Sequence, residues 1–352
     1  MSSFEIAQIL SKHNLKTQSD VSLQKYNTFG IEASAELFLT ILSDHDFKNL
    51  CQALPEIPGH YPIFYLGGGS NIVLTKNFEG LVIRLAHEGI EFRTCDIVDT
   101  FIVTAMAGEN WSNFVDACCE KNLSGIENLA LIPGTVGAAP IQNIGAYGVE
   151  LKDVFWELKA FNRKTFQWRT FNKEQSQFAY RDSFFKSSEG KDYLIYSVSL
   201  LLSTQFKANT QYPDLQKIMG FSPTHPREVA AAVKSIRQQK LPDPKVIGNA
   251  GSFFKNPILS LIDFLTLQSR FPDIPFFRMG NDYVKVPAAW LIDRAEWKGK
   301  NFGTVGVHRN QALVLVNLGG ATGKDVQKLA SEIQEDVQNK FGITLEPEPL
   351  YV

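Results

Sequence analysis

Tyr61-Pro62-Ile63-Phe64-Tyr65-Leu66-Gly67-Gly68-Gly69-Ser70-Asn71-Ile72-Val73-Leu74 sets three glycines and a serine between two strand-like runs. Residues without a Cβ let successive backbone N–H groups converge on one point, and such a nest holds a phosphate oxygen without a cationic side chain. A strand-like run follows the glycines where a dinucleotide fingerprint of the Rossmann kind would open a helix, and no Lys-Ser/Thr pair follows as in a P-loop. Taken alone, the stretch reads equally as a glycine-rich hairpin turn. A second loop, Ile132-Pro133-Gly134-Thr135-Val136-Gly137-Ala138-Ala139-Pro140-Ile141-Gln142-Asn143-Ile144-Gly145-Ala146-Tyr147-Gly148, is long and almost uncharged. Small residues over such a length let backbone lie against a flat ligand, and long loops in compact domains are more often functional than idle. Two such loops in one β-rich region suit a dinucleotide cofactor with a pyrophosphate and a planar ring.

Around these loops, from Ala35 to about Leu201, the runs Leu37 to Leu42, Tyr61 to Leu66, Asn71 to Thr75, Gly80 to Leu85, Thr100 to Ala107 and Tyr193 to Leu202 favour strands. A helix is expected over Trp111 to Glu120, where Trp111, Phe114, Val115, Cys118 and Cys119 recur at helical spacing, so the adjacent cysteines read as core. After about Gln211 the text turns mixed. One helix is expected through Val229, Val233 and Ile236, an apolar stretch runs from Leu261 to Leu267, and a last helix carries Val326, Leu329, Ile333 and Val337. Thr322 and Asp325 would cap that last helix and Gly342 would end it. The segment Thr204 to His225, with Pro226 just beyond, is the expected linker, and no internal repeat is visible.

Length and composition fit this division. The 352 residues exceed one ordinary core, and 44% hydrophobic with 20% charged residues is the balance of a globular protein. With 35 basic against 37 acidic residues the formal charge is -2, so no global field recruits nucleic acid or anionic lipid, and an anionic ligand must be held locally. Met1 to Asp20 lacks the order of a signal peptide, no apolar run reaches membrane-spanning length, and a cytoplasmic location is expected. Four cysteines without a CxxC pair suggest reduced thiols, and six scattered histidines argue against a tetrahedral metal site.

Five ordered segments carry a resemblance. Tyr26-Asn27-Thr28-Phe29-Gly30, Leu66-Gly67-Gly68-Gly69-Ser70-Asn71, Ala107-Gly108-Glu109-Asn110-Trp111, Ile132-Pro133-Gly134-Thr135-Val136-Gly137 and Gln142-Asn143-Ile144-Gly145-Ala146-Tyr147-Gly148 resemble the signature segments of the UDP-N-acetylenolpyruvoylglucosamine reductases, the MurB family. The likeness runs from Tyr26 to about Glu348. It implies an α+β fold: an FAD-binding domain of the vanillyl-alcohol-oxidase (PCMH) type in two subdomains, 1–78 and 79–210, then a separate α+β substrate-binding domain, 211–340. A C-terminal segment, 341–352, would return to the active site. Implied ligands of FAD are Tyr26, Asn27, Thr28, Gly67, Gly68, Gly69, Ser70, Asn71, Glu109, Asn110, Pro133, Gly134, Val136, Gly137, Asn143, Gly145, Ala146 and Tyr147. The implied reaction belongs to peptidoglycan precursor synthesis. Hydride passes from NADPH through FAD to the methylene carbon of UDP-N-acetylglucosamine enolpyruvate, and a proton goes to the neighbouring carbon, giving UDP-N-acetylmuramate. NADPH as the donor is implied by the resemblance alone, and a monomer is expected.

Such chemistry needs donors on the substrate carboxylate and an acid nearby. In Phe178-Ala179-Tyr180-Arg181-Asp182-Ser183 the guanidinium could grip a carboxylate through paired N–H bonds. By pattern alone Arg181 reads as a surface residue paired with Asp182; the resemblance matches it to the family's catalytic arginine. In Gly248-Asn249-Ala250-Gly251-Ser252-Phe253-Phe254-Lys255-Asn256-Pro257, small residues permit close approach to Ser252 and two phenylalanines could exclude water. Ser252 alone reads as a turn residue; the resemblance implies the proton donor. Leu345-Glu346-Pro347-Glu348-Pro349 is extended, with both carboxylates on one face, and the family pattern points to Glu348. The chain departs from that pattern just afterwards, ending at Val352 where relatives usually continue. Tyr180, Tyr212, Lys240, Asn256 and Gln311 are the implied substrate-binding residues, although Lys240 alone reads as a solvated helix-end lysine. Two rivals are an FAD-dependent alcohol oxidase of the same fold and a non-catalytic flavin or nucleotide-sugar binding protein. No histidine inside either glycine loop stands ready to tether flavin, although His60 lies just upstream.

Overall fold

Ser34–Ile41, Phe78–Leu85 and Ile63–Leu66 run parallel in the computed structural model, with Thr17–Ser22 added at the edge. Parallel neighbours need a crossover. It is supplied by a helix absent from the expected pattern, α2 (Asp44–Ala53), which follows α1 (Ser3–Lys12) and is capped by Ser43. Its apolar positions Phe47, Leu50 and Ala53 stand three apart and are wholly buried, so one face seals the sheet although the segment is polar on average.

The structure describes residues 1–220 and 222–352, and the chain divides into two units. The first comprises Met1–Val21, Ser34–Gly69 and Phe78–Gln238. Beside the parallel sheet it holds a five-stranded antiparallel sheet in the order Gln167–Asn172, Phe155–Asn162, Tyr193–Ser203, Thr100–Met106 and Ile90–Thr94. The helix read from the aromatic and cysteine stripe forms as α3 (Trp111–Glu120), with Cys118 and Cys119 buried. Burial pushes the Cys119 thiol up to about 12, so neither redox nor nucleophilic chemistry is set up there.

Within the expected linker Thr204 to His225, α4 (Pro213–Ile218) forms, and Phe221 lies outside the described residues. Next comes α5 (Pro226–Lys240). The first unit continues to Gln238, beyond the expected boundary at 211, because α5 packs into it: Val229, Val233 and Ile236 are buried and Lys234 Nζ lies 2.6 Å from Asp116 Oδ1 on α3.

The second unit gathers Ser22–Ala33, Ser70–Asn77 and Gln239–Val352. Its antiparallel sheet runs Asn249–Ser252, Val314–Asn317, Val305–Val307 and Asn301–Phe302, and a smaller one pairs Ile258–Ser260, Tyr283–Lys285 and Phe277–Met279. Helices α6 (Leu261–Arg270), α7 (Ala288–Arg294) and α8 (Gly323–Phe341) complete it. The last helix starts with the expected reciprocal cap of Thr322 and Asp325 and stops at Gly342, whose φ of 73° is left-handed. Val326, Leu329, Ile333 and Val337 are fully buried along it, each contributing roughly 1.5–3 kcal/mol of transfer free energy. Among the described residues no helix is long and apolar enough to cross a membrane.

Candidate active site

Three of the expected cofactor segments meet inside the first unit. Val136 N donates to Glu109 O at 2.9 Å, Gly137 N to Ala107 O at 3.0 Å, and Trp111 N to Gly134 O at 3.1 Å, so Ala107–Trp111 and Gly134–Gly137 are zipped along their backbones. The triple-glycine turn closes on the same point. A Cβ at Gly68 would stand 2.8 Å from Gly134 Cα, and one at Gly67 would stand 2.8 Å from Thr135 Oγ1. Glycine is therefore required here by the approach of one loop to another. The result is a neutral, backbone-lined cradle. Gly68→Ala should push these loops apart, with strain of about 1–3 kcal/mol. The expected outcome is protein purified with roughly tenfold less tightly held flavin, read from the ratio of flavin to protein absorbance.

Not every expected cofactor residue has its side chain to spare. Asn110 caps α3 by accepting from Asn113 N at 3.1 Å, and the Glu109 carboxylate accepts from Gly89 N at 3.2 Å. Asn143 is wholly buried. Its amide donates to Ala179 O at 3.0 Å and Glu150 Oε2 at 3.1 Å and accepts from Lys152 N at 3.0 Å. Tyr147 is half-buried with φ 49°, and burial pushes its hydroxyl up to about 12. Its ring meets that of Tyr212 edge to face at 5.1 Å, which joins an expected cofactor residue to an expected substrate residue.

Arg181 lies in the same unit, on a tight turn closed by Ala179 N to Asp182 O at 3.0 Å. Its φ is 54°, its Nη2 donates to Gly145 O at 2.7 Å, and its guanidinium lies 5.3 Å from the Tyr180 ring. The structure thus brings the expected arginine onto the second glycine loop. One cation escaped the sequence reading. Arg237 on α5 donates from Nε to Leu131 O at 3.2 Å at the start of that loop. Burial draws its guanidinium below the usual arginine range, Tyr147 works against this, and the Arg181 charge adds to it. Two guanidinium groups bonded to one loop raise the local affinity for an anion. The only hint in sequence was an arginine at the end of an otherwise apolar helix face.

The second unit assembles the remaining expected residues. Ser252 ends the strand Asn249–Ser252, after Gly251 at φ 68° and a register break against Val314–Asn317. It is exposed. Phe253 and Phe254, expected to exclude water at the serine, are buried, Phe253 edge to face with both Phe254 and Phe29. They anchor the strand that ends in the serine.

The C-terminal segment runs beside this strand. Glu348 N donates to Phe253 O at 2.8 Å, Lys255 N to Glu346 O at 2.9 Å, and Asn71 Nδ2 to Glu348 O at 3.2 Å. Leu350–Tyr351 then pairs in parallel with Ile72–Val73. The two glutamates are distinguished. Glu346 is exposed and ion-paired with Lys255 Nζ at 2.5 Å, whereas Glu348 is half-buried next to the strand that ends in Ser252. Asn256 Oδ1 caps α7 through Ala288 N at 2.9 Å, and Gln311 Oε1 accepts from Leu313 N at 3.3 Å. Lys240 closes α5.

Tyr26, Asn27 and Thr28 also belong to the second unit. Asn27 is consumed by its own turn, bonding Leu23 O, Ile31 O and Ile31 N, which fixes the loop. Thr28 Oγ1 is buried without a hydrogen-bond partner, a state that costs about 1–3 kcal/mol unless a ligand supplies one. That orphaned hydroxyl and the backbone cradle of the first unit each fit a cofactor with many polar atoms.

Comparison with known proteins agrees with this geometry. Residues 242–352 match the family described as UDP-N-acetylenolpyruvoylglucosamine reductase, C-terminal domain, and residues 52–164 match the FAD binding domain family. The chain is 45% identical over 339 residues to UDP-N-acetylenolpyruvoylglucosamine reductase of Pseudomonas aeruginosa, covering 96% of this chain and 99% of that protein. It is 46% identical over 338 residues to the reductase of the same name from Bdellovibrio bacteriovorus, with the same coverage of each. In fold it is similar to the crystal structure of UDP-N-acetylenolpyruvylglucosamine reductase (MurB) from Thermus caldophilus, with a TM-score of 0.64, 24% identity, and 96% and 99% of the two chains covered. The fold is an FAD-binding domain of the PCMH type followed by the separate C-terminal domain of this group.

Proposed function

Because the chain belongs to the UDP-N-acetylenolpyruvoylglucosamine reductase family, we propose that Arg181, Ser252 and Glu348 carry its reaction. That reaction is the FAD-dependent reduction of UDP-N-acetylglucosamine enolpyruvate in peptidoglycan precursor synthesis, and NADPH would be its reductant. Bound FAD supplies the hydride relay between the nicotinamide and the enol ether. The Gly67–Gly69, Glu109–Asn110 and Pro133–Gly137 backbones would hold it, with Ser70 and Asn71 following the glycine turn, Tyr26, Asn27 and Thr28 adding the loop with the orphaned hydroxyl, and Gly145, Ala146 and Tyr147 contributing from the hairpin.

Everything else is asked of side chains. Arg181, fixed by its bond to Gly145 O, would pair with the substrate carboxylate and stabilise the charge that grows there as hydride arrives at the neighbouring methylene. Ser252 Oγ would give its proton to the adjacent carbon. A hydroxyl is a weak acid, but a carbanion held against it is a strong base. Glu348 would hydrogen-bond at that centre and help return a proton to the serine. The observation that most supports the set is the bond from Glu348 N to Phe253 O, which sets Glu348 alongside the serine's strand. Tyr180, Tyr212, Lys240, Asn256 and Gln311 would engage the sugar and diphosphate, with lysine as a compact charge for the latter. A monomer working in the cytoplasm completes the reading.

NADPH consumption decides it. With oxygen excluded, the purified holoprotein should oxidise NADPH in proportion to added UDP-N-acetylglucosamine enolpyruvate, and hardly at all without it. Once air is readmitted, rapid reoxidation of the reduced flavin with no response to the UDP-sugar would mean an oxidase; binding without turnover would mean a carrier.

A further inference from the structure

Asn143 stands out in the second glycine loop because both hydrogens of its side-chain amide and one lone pair of its oxygen already have protein partners. It is wholly buried, both amide hydrogens are directed at protein oxygens, and its Oδ1 receives Lys152 N. One of those oxygens is the Ala179 carbonyl, two residues before Arg181. The other is Glu150 Oε2, at the far end of the hairpin formed by Gly145–Ala146 and Val149–Glu150, where Lys152 Nζ also approaches at 2.6 Å. Arg181 is thus tied twice to one hairpin, by main chain through Ala179 and Asn143 and by its own Nη2 through Gly145 O. Little slack remains between them. A Cβ at Gly145 would stand 3.0 Å from Arg181 Nη1, and the turn carrying the arginine is held in the left-handed region by the Ala179–Asp182 bonds and by Lys186 Nζ on Arg181 O at 2.8 Å.

We propose that Asn143 is a positioning residue for the Arg181 guanidinium and binds no ligand through its side chain. The proposal rests on the reading of Arg181 as the group that grips the substrate carboxylate. A guanidinium must meet a carboxylate with two parallel bonds, so a small rotation of its turn forfeits one of them. Asn143 never meets the substrate; it fixes where the arginine stands.

Asn143→Gly is the informative variant. The residue has φ 44°, which glycine adopts without strain, so the backbone is kept while the clasp is removed. Flavin should be retained, and the half-reaction in which the UDP-sugar reoxidises the flavin should slow by about 30- to 100-fold, the scale of a misplacement near 1 Å. The half-reaction with NADPH should slow far less. Asn143→Asp keeps the acceptor for Lys152 N but turns two oxygens against a third, and the same selective loss is expected. The decisive step is a cycle with Arg181→Ala. In that background Asn143→Gly should change the reoxidation rate by less than about twofold, since the group it serves is gone. If the two losses multiply instead, the inference about Asn143 falls while the role of Arg181 stands. If Arg181→Ala alone reoxidises at the normal rate, it is the reading of Arg181 that fails. Flavin-free Asn143→Gly and Asn143→Asp proteins of normal stability would overturn the proposal in favour of direct cofactor binding.

Discussion

Ser252→Ala protein should emerge from purification yellow, be bleached by NADPH at close to the normal rate, and then fail to be reoxidised by the UDP-sugar. The loss in that second step should be about 100- to 10,000-fold, the range in which a positioned proton donor contributes. The folded structure explains why the variant isolates chemistry from stability. Ser252 is exposed at the end of its strand, and its neighbours Phe253 and Phe254 carry the packing, so removing one hydroxyl leaves no cavity and no buried orphan. Gly251 at φ 68° and the register break fall between Asn249 and Ser252, and the serine re-enters the ladder opposite Val314 with its side chain exposed. Ser252→Cys should recover part of the rate, since a thiol is the stronger acid. Stopped-flow absorbance of the flavin separates the two steps. Turnover of the alanine variant at the normal rate would remove Ser252 from the mechanism and leave Glu348 as the acid.

The two glycine loops were legible because the steric demand that selects glycine acts locally: Gly68 against Gly134 is a contact of two stretches each marked by its own composition. Helices α3 and α8 were legible for a related reason, since both carry a continuous apolar stripe with a cap residue at the start. By contrast α2, with two aspartates and a histidine in its first turn, hides three buried apolar residues in a polar segment. Its presence follows only from the parallel pairing of the strands on either side. Unit membership was illegible beyond the change of character near 211. Ser22–Ala33 and Ser70–Asn77 join the C-terminal residues through pairings such as Asn249 N to Thr28 O and Leu350 N to Asn71 O, which span over two hundred residues and leave no periodic trace. Arg237 was missed because a basic residue near a helix end is ordinarily solvated, and only the fold brings Leu131 and Tyr147 around it.

Arg181→Lys is the sharper test of how the substrate carboxylate is held, because it keeps the charge. Lysine offers one compact ammonium in place of a planar fork, so paired bonds to a carboxylate are lost and the tie to Gly145 O at 2.7 Å is lost with them. If charge alone sufficed, the variant would be nearly normal. If the paired geometry stabilises the developing charge, reoxidation by the UDP-sugar should fall by about 100- to 1,000-fold, the cost of removing one oriented donor from such a site. The loss should appear in kcat as well as KM, since the bond matters most when charge is greatest. Folding should be little affected, because the left-handed φ of 54° is as hard for lysine as for arginine and the turn is closed by backbone bonds between Ala179 and Asp182. Arg237 stays in place beside the same loop, so some anion affinity should survive in Arg181→Lys. A variant with raised KM and unchanged kcat would show that Arg181 merely attracts the substrate and that another group carries the charge in the transition state.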